Sequence, residues 1–388
     1  MAYTGKKPID VIDATTAQTL TIEDNIVTPS INSGQIGGRR NLIINGAKQV
    51  FERSTSATGV TTDTYSAPDR WKTRVFSTAE FTISQSTDVP SGQGFGSSCK
   101  WDCTTANASP SSTTFLIYEQ RIEGQDLQRL AYGTSSAKSL TASFWVKSNK
   151  TGAYTVGLYS PDGSRHIESS YTISSANTWE KKTITFAGDT GGTINDDTGE
   201  GMRIWFHLGA GSNWSSGTHA TTWSAYSQGD VLVDNQVNLS DSTSNEWYIT
   251  GVQLEVGSVA TEFESRSFGE ELALCQRYFE RFNYDGGGMV GVASLSSTSA
   301  GWLPFYYSEK RVAPSFSSSP AGQGGGNLSL ILATGGYPTT TGSVSASNAS
   351  SRSLRLNYTG YSGLTGGAGY SCVWYSNGDT FVDIDAEL

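Results

Sequence analysis

The residues with recognisable chemistry in this sequence are aromatic rings set beside amides and guanidiniums. Trp214, Trp223 and Tyr226 fall in a Ser/Gly/Thr-rich stretch. Trp145 and Trp205 stand opposite the apolar stripes of two alternating segments, and Tyr118, Gln120 and Arg121 lie on a third. A flat ring can stack on the apolar face of a sugar, and planar amide and guanidinium groups match its hydroxyls. These eight residues are therefore the candidate carbohydrate-binding set. A loop tryptophan exposed without a ligand is a cost in water, which singles out Trp214 and Trp223. The competing reading is packing, with the strand tryptophans filling the second face of a sandwich or of an interface between chains.

Catalytic patterns are much weaker. No GxSxG elbow, HExxH motif or Walker loop occurs. Glu119, Glu123, Asp162, Asp196 and Asp197 could supply a glycosidase pair, but with 36 acidic side chains such coincidences come easily. Cys99, Cys103, Cys275 and Cys372 are too scattered for a disulfide framework, and His166, His207 and His219 lack metal-ligand spacing. The sequence reads as that of a binding or structural protein, not an enzyme, with no cofactor required.

The elements that would position these side chains are strands. Of 388 residues 44 are Gly and only 16% are charged, and the apolar set is Val, Ile, Tyr, Phe and Trp, types that suit a pleated surface. Between Ser139 and Lys147, Leu140, Ala142, Phe144 and Val146 alternate with Trp145 on the other face. Between Gly201 and Leu208, Met202, Ile204, Phe206 and Leu208 alternate with Arg203, Trp205 and His207. Further strands are expected at 80–85, 114–122, 154–159, 179–186, 230–233 and 247–255. The fold class is all-β: an antiparallel jelly-roll sandwich plus a C-terminal β domain, joined by one short helix. Residues 1–40 read as an extended docking segment, 41–266 as the sandwich, 267–288 as the junction helix and Gly-rich linker, and 289–388 as the C-terminal β domain. The helix begins at a capping box, Ser267 to Glu270. Leu272, Cys275, Phe279 and Phe282 follow on one helical stripe, which predicts about four turns that pack between domains or on a three-fold axis.

A net charge of −10 with no basic run argues against nucleic acid, and no apolar stretch is long enough to enter a membrane as a helix. The opening Met1-Ala-Tyr-Thr-Gly-Lys-Lys has no apolar core and does not read as a secretory signal.

Several ordered motifs resemble those of bacteriophage tail-fibre and virion appendage proteins with a carbohydrate-binding-module-like domain. They are Asn41-Leu-Ile-Ile-Asn-Gly46, Ala67-Pro-Asp-Arg-Trp71, Tyr118-Glu-Gln-Arg-Ile-Glu-Gly124, Ser143-Phe-Trp-Val-Lys-Ser148, Asn177-Thr-Trp-Glu-Lys-Lys-Thr-Ile184 and Ile249-Thr-Gly-Val-Gln-Leu-Glu255. The helix Gly269 to Phe279, Lys310-Arg-Val-Ala-Pro314 and the closing Asp385-Ala-Glu-Leu388 are similar to later landmarks of that family. The resemblance implies a jelly-roll module, a homotrimer on a virion, docking to other virion proteins through residues 1–40, and adhesion to a host-surface polysaccharide or lipopolysaccharide. It also implies a structural calcium ion held near Gln253–Glu255, with Glu255 as ligand. A purely structural virion component is the alternative.

Overall fold

The computed structural model describes residues 39–283, 289–318 (289 and 290 as backbone), 342–361 and 381–388, together with the backbone of four short strands at 30–31, 34–35, 328–331 and 369–374. Most of the expected docking segment 1–40 and the linker 284–288 lie outside the described residues. The first two strands, β1 (Ser30–Ile31) and β2 (Gly34–Gln35), pair only with each other.

Alternation then produces strand after strand: β3 (Ser56–Val60), β4 (Thr64–Tyr65), β5 (Lys72–Phe76), β6 (Glu80–Ser86), β7 (Ser98–Thr105), β8 (Phe115–Glu123), β9 (Leu140–Ser148), β10 (Gly152–Ser160), β11 (Arg165–Ile173), β12 (Glu180–Phe186), β13 (Glu200–Ala210), β14 (Ser224–Ala225) and β15 (Glu246–Val256). They form two antiparallel sheets, ordered β14-β11-β10-β13-β8-β5-β4 and β12-β9-β15-β7-β6-β3. The inward residues of both sheets share one core, with Leu140, Phe144, Trp101 and Trp247 from one and Tyr118, Val156, Ile204 and Phe206 from the other. This is the expected all-β sandwich. The segment 230–233, expected as a strand, is instead irregular chain after a single 3-10 turn, and it crosses over the sheet rather than joining it.

The Asn41–Gly46 motif closes one end of the sandwich. The Asn41 side-chain oxygen accepts from the backbone N–H of Ile43 and Leu254, both at 3.0 Å. Asn45 donates to the carbonyls of Val50 and Asp69 at 2.9 and 3.0 Å, tying two loops together. A Cβ on Gly46 would stand 2.1 Å from the Val252 carbonyl oxygen, so only glycine fits there.

Helix α1 (Phe268–Gln276) starts at the expected capping box, Ser267 and Glu270 exchanging hydrogen bonds. It stops after nine residues, not four turns. Phe279 and Phe282 lie instead on a strand, β16 (Phe279–Asn283). The remaining strands are β17 (Met289–Leu295), β18 (Ala300–Tyr306), β19 (Ser315–Ser318), β20 (Leu328–Ile331), β21 (Ser343–Ser347), β22 (Ser353–Thr359), β23 (Gly369–Trp374) and β24 (Phe381–Asp385). They form a six-stranded sheet, β20-β23-β17-β18-β22-β21, and a three-stranded one, β16-β24-β19. A local pattern cannot see the partner that pulls 279–283 out of the helix, because β24 is about a hundred residues away. The two sheets enclose a separate core of Leu303, Phe305, Leu354, Leu356, Tyr358, Val382 and Ile384. Among the described residues no helix is long and apolar enough to cross a membrane.

Charged pairs join the C-terminal unit to the sandwich. Arg277 binds buried Glu123 through two hydrogen bonds of 2.7 Å, and the Tyr278 hydroxyl donates to the same carboxylate at 2.6 Å. Arg53 pairs with Asp385 at 2.8 Å and lies over the Phe279 ring at 3.6 Å. Arg70, almost fully buried, pairs with Glu387 and stacks over Tyr278 at 3.4 Å. Cys275 and Phe279 are buried inside this single chain, Phe282 packs edge-on to Phe305 at 4.9 Å, and Leu272 is half-buried.

Candidate functional site

Strand parity decides which side chains leave the core of the seven-stranded sheet. On β5, Thr73 and Val75 point inward, so Lys72, Arg74 and Phe76 point out. On β8 the outward set is Phe115, Ile117, Glu119 and Arg121, and on β13 it is Arg203, Trp205 and His207. Cross-strand register sets these in rows: Phe76 faces Phe115, Arg74 faces Ile117, and Lys72 faces Glu119.

Half of this outer face is roofed. The chain from Gly211 to Leu232 folds over it, and Trp214, Val231 and Leu232 pack on Ile117 and Trp205 in a second, smaller core. Beneath that roof His207 is fully buried with neither ring nitrogen bonded, and burial, with Arg74 adding to it, pushes its pKa down to about 3. Glu168 is buried too, meeting the Trp205 indole N–H at 3.2 Å and His166 Nδ1 at 3.1 Å. Burial drives its carboxyl well above the usual range, with the Trp205 hydrogen bond opposing. Gly157 makes this arrangement possible, since a Cβ there would lie 1.7 Å from the Glu168 carboxylate.

The other half of the face is open. Phe76 is 56% exposed, stacks on Phe115 at 5.8 Å, and Phe115 in turn meets buried Trp214 edge-on at 5.4 Å. The exposed ring is thus the outer rung of an aromatic ladder anchored under the roof. It borders a groove of about 590 Å³ lined by Ser, Thr and Asn residues, among them Thr61, Thr62, Thr78, Asn107, Ser109 and Ser111, whose surface towards the groove is mostly apolar. Next to the ladder, Arg74 lies over the Phe115 ring at 5.2 Å. Arg74, Arg121 and Arg203 converge on the buried Glu119 carboxylate at 3.5, 2.9 and 3.5 Å. Burial pushes Glu119 up, but the three guanidiniums together hold its pKa below the usual range, so it is charged. A ring lying open in a hydroxyl-lined groove can stack on the C–H face of a sugar while the walls exchange hydrogen bonds with its hydroxyls.

The residues expected from sequence are dispersed. Tyr118 is a core residue stacked on Trp71 at 4.8 Å, and Gln120 is buried with its amide paired to the Ile44 backbone at 2.7 and 2.8 Å. Both have the inward parity on β8, which corrects their placement in a sugar-binding set. Trp145 and Trp205 do point away from the core, as alternation predicts, but from opposite sheets, so they cannot share a ligand. Trp205 and Trp214 are buried under the roof, which corrects the reading of Trp214 as an exposed loop ring. Trp223 is half-buried, donating to the Ala187 carbonyl at 2.6 Å and meeting Tyr132 edge-on at 5.6 Å. Tyr226 is half-buried against Tyr159 at 5.1 Å, and Arg121 is held by Glu119 and by the Leu388 carbonyl at 3.0 Å. The residue missed was Phe76. Its signal was present, since it shares the parity of Lys72 and Arg74 and is followed by Ser77-Thr78.

Glu255 does not fit a calcium site. Its carboxylate accepts from the Gln253 amide and the Thr261 N–H, both at 2.8 Å, and from the Thr261 hydroxyl at 2.7 Å. Calcium takes about six to eight oxygen ligands, and here donors already occupy the carboxylate. Among the described residues no three His, Cys, Asp or Glu side chains converge as a metal site. The buried thiols of Cys99 and Cys103 are pushed up to about 11 by desolvation, which keeps them protonated and poorly nucleophilic.

No family model and no curated protein matches the chain. Solved structures similar to it include a putative sugar binding protein from Bacteroides thetaiotaomicron, at 12% identity and a TM-score of 0.30 over 56% of this chain and all of that one. A family 11 carbohydrate-binding module from Clostridium thermocellum, in complex with a β-1,3-1,4-mixed-linked tetrasaccharide, is 13% identical with a TM-score of 0.28, over 53% of this chain and 98% of that one. The enzymatically active domain of tailspike protein 4 from bacteriophage CBA120 is 14% identical with a TM-score of 0.29 over 56% of this chain. The match spans about a fifth (21%) of that tailspike chain. The β-sandwich assignment itself rests on this chain's own sheets and core.

Proposed function

We propose that this chain is an adhesive appendage protein of a bacteriophage particle, whose sandwich holds a host-surface polysaccharide or lipopolysaccharide in the Phe76 groove. The observation that carries the binding half is the exposed Phe76 ring, backed by Phe115 and Trp214, at the border of a groove rich in hydroxyl side chains. The phage half is supported by the ordered motifs from Asn41 to Leu388. On this reading residues 1–40 dock to other virion proteins, and a homotrimer presents three grooves, so that weak single-site binding sums to firm attachment. Sedimentation of the purified chain as a monomer would remove the trimer from this reading.

The test of the ligand is direct. The purified chain should bind polysaccharide or lipopolysaccharide from its host, and Phe76→Ala should lower that affinity by about tenfold, on the scale of one aromatic stacking contact. A wild-type chain that binds neither would overturn the adhesive reading and leave a second one, a purely structural virion component. That second reading is favoured by one observation, the burial of Trp205 and Trp214 in packing rather than at a surface.

A further inference from the structure

The outer face of β18, in the C-terminal six-stranded sheet, is another place where large rings meet solvent. Along β18 the burial alternates strictly: Gly301, Leu303 and Phe305 point into the core, while Trp302, Pro304 and Tyr306 point out. Trp302 is 39% exposed and Tyr306 is 71% exposed. Four residues apart on one strand, their attachment points lie about 13–14 Å apart in a line. The neighbouring strand places Asn357 opposite Trp302 and Arg355 opposite Pro304. Both are fixed by one hydroxyl, since Ser347 Oγ accepts from the Asn357 amide at 2.9 Å and from Arg355 Nε at 3.2 Å. The Arg355 guanidinium also lies 5.8 Å from the Trp302 ring.

We infer that this face is a second carbohydrate-binding platform, separate from the Phe76 groove, and that it takes an extended β-linked neutral polysaccharide. Two features select that class. The face's two rings lie in line, which suits a chain whose equatorial linkages keep successive C–H faces in one ribbon. Its polar groups are an amide and a guanidinium held beside the rings, and they recognise hydroxyls along the ribbon's edge. Of the two strands that flank the rings, β22 presents Asn357 and Arg355, and β17 presents Ser294 opposite Trp302 and the exposed Val292.

The experiment is affinity electrophoresis of the full chain through gels containing hydroxyethylcellulose or mixed-linkage β-glucan, with dextran as the bent α-linked control. The wild type should be retarded by the β-glucans and not by dextran. Trp302→Ala and Tyr306→Ala should each abolish most of that retardation, while Phe76→Ala should leave it unchanged. Both outward substitutions spare the inward residues Leu303 and Phe305, and an unchanged thermal melt would confirm that the fold is kept. Retardation that survives both substitutions, or that is equal in dextran, overturns the platform. So does a change of oligomeric state in either variant by sedimentation, because the face would then be an interface between copies. Loss of β-glucan retardation in Phe76→Ala alone would overturn the separation of the two sites, and leave the Phe76 groove as the one binding surface.

Discussion

The seven-stranded sheet of the sandwich and the six-stranded sheet of the C-terminal unit both carry aromatic rings on their outer faces, and they treat them in opposite ways. In the sandwich a crossing loop covers Trp205 and turns its own Trp214 down into the packing, leaving Phe76 at the border of the covered area. In the C-terminal unit Trp302 and Tyr306 meet solvent on the outer face of β18. Strand alternation alone is the same in both. The difference is a roof, and it turns the same parity into a packing residue in one place and a surface ring in the other.

Removing the anchor of the roofed face should have the largest effect. Trp214→Ala empties a packed site under the loop and should destabilise the protein by about 3–5 kcal/mol in urea unfolding. It should also weaken ligand binding at Phe76 by loosening Phe115. Phe76→Ala, truncating an exposed ring, should change stability by only about 0.5 kcal/mol while lowering glycan affinity. Equal destabilisation by the two substitutions would erase the distinction between roofed and open faces.

The two β units are coupled through Glu123, so its loss should be next in size. Glu123→Ala leaves Arg277 and the Tyr278 hydroxyl without their shared acceptor, at a cost of about 3 kcal/mol. The expected readout is a split of one unfolding transition into two, with the C-terminal unit melting first. A single sharp transition would mean that the two cores are held together by other contacts.

Lys48 tests the sandwich core in the opposite direction. Its amine is buried without a hydrogen-bond partner, 2.9 Å from the centre of the Trp71 ring. Desolvation lowers its pKa well below the ordinary 10.5, with Cys99 opposing. The unfolded chain therefore binds a proton that the folded one lacks, and stability rises with pH towards 10.5. Lys48→Met should stabilise the protein by about 1–3 kcal/mol at pH 7, and the gain should shrink as pH approaches 10.5.

The smallest effect should come from the junction carboxylates. Burial raises Glu52 to about 7 and Asp69 to about 6, with Glu280 and Lys310 also facing Glu52. Because these folded pKa values lie above the ordinary carboxylate values, their contribution is fully present below pH 4 and is lost as pH rises through 6 to 7. Glu52→Gln should accordingly leave the melting temperature unchanged at pH 4 and raise it modestly at pH 8. A variant equally stabilised at both values would show that Glu52 does not titrate in that window.

Much of the sandwich was legible because period-two alternation is a local property. Ser139 to Lys147 and Gly201 to Leu208 read as strands, and both are strands with the faces the pattern assigned. The capping box at Ser267 was equally local and is formed. The helix end was not legible, because pairing of Phe279–Asn283 with β24 overrides a helical stripe that continues on paper. The members of the candidate site were not legible: the groove is bordered by Phe76, one amide and several hydroxyl residues, whereas Tyr118 and Gln120 have the inward parity and Trp214 is turned down into the packing beneath its own loop.

By itself, then, the sequence determined the fold class, the strands that alternate and the direction in which their side chains leave the sheet. Each of these follows from chemistry between residues a few positions apart. Only the tertiary structure decided which outward rings meet water. That outcome depends on where a loop of about twenty residues crosses a sheet and which strand a distant segment joins, and both are contacts between residues far apart in the chain. So it buried Trp205 and Trp214, opened Phe76, and left Trp302 and Tyr306 exposed.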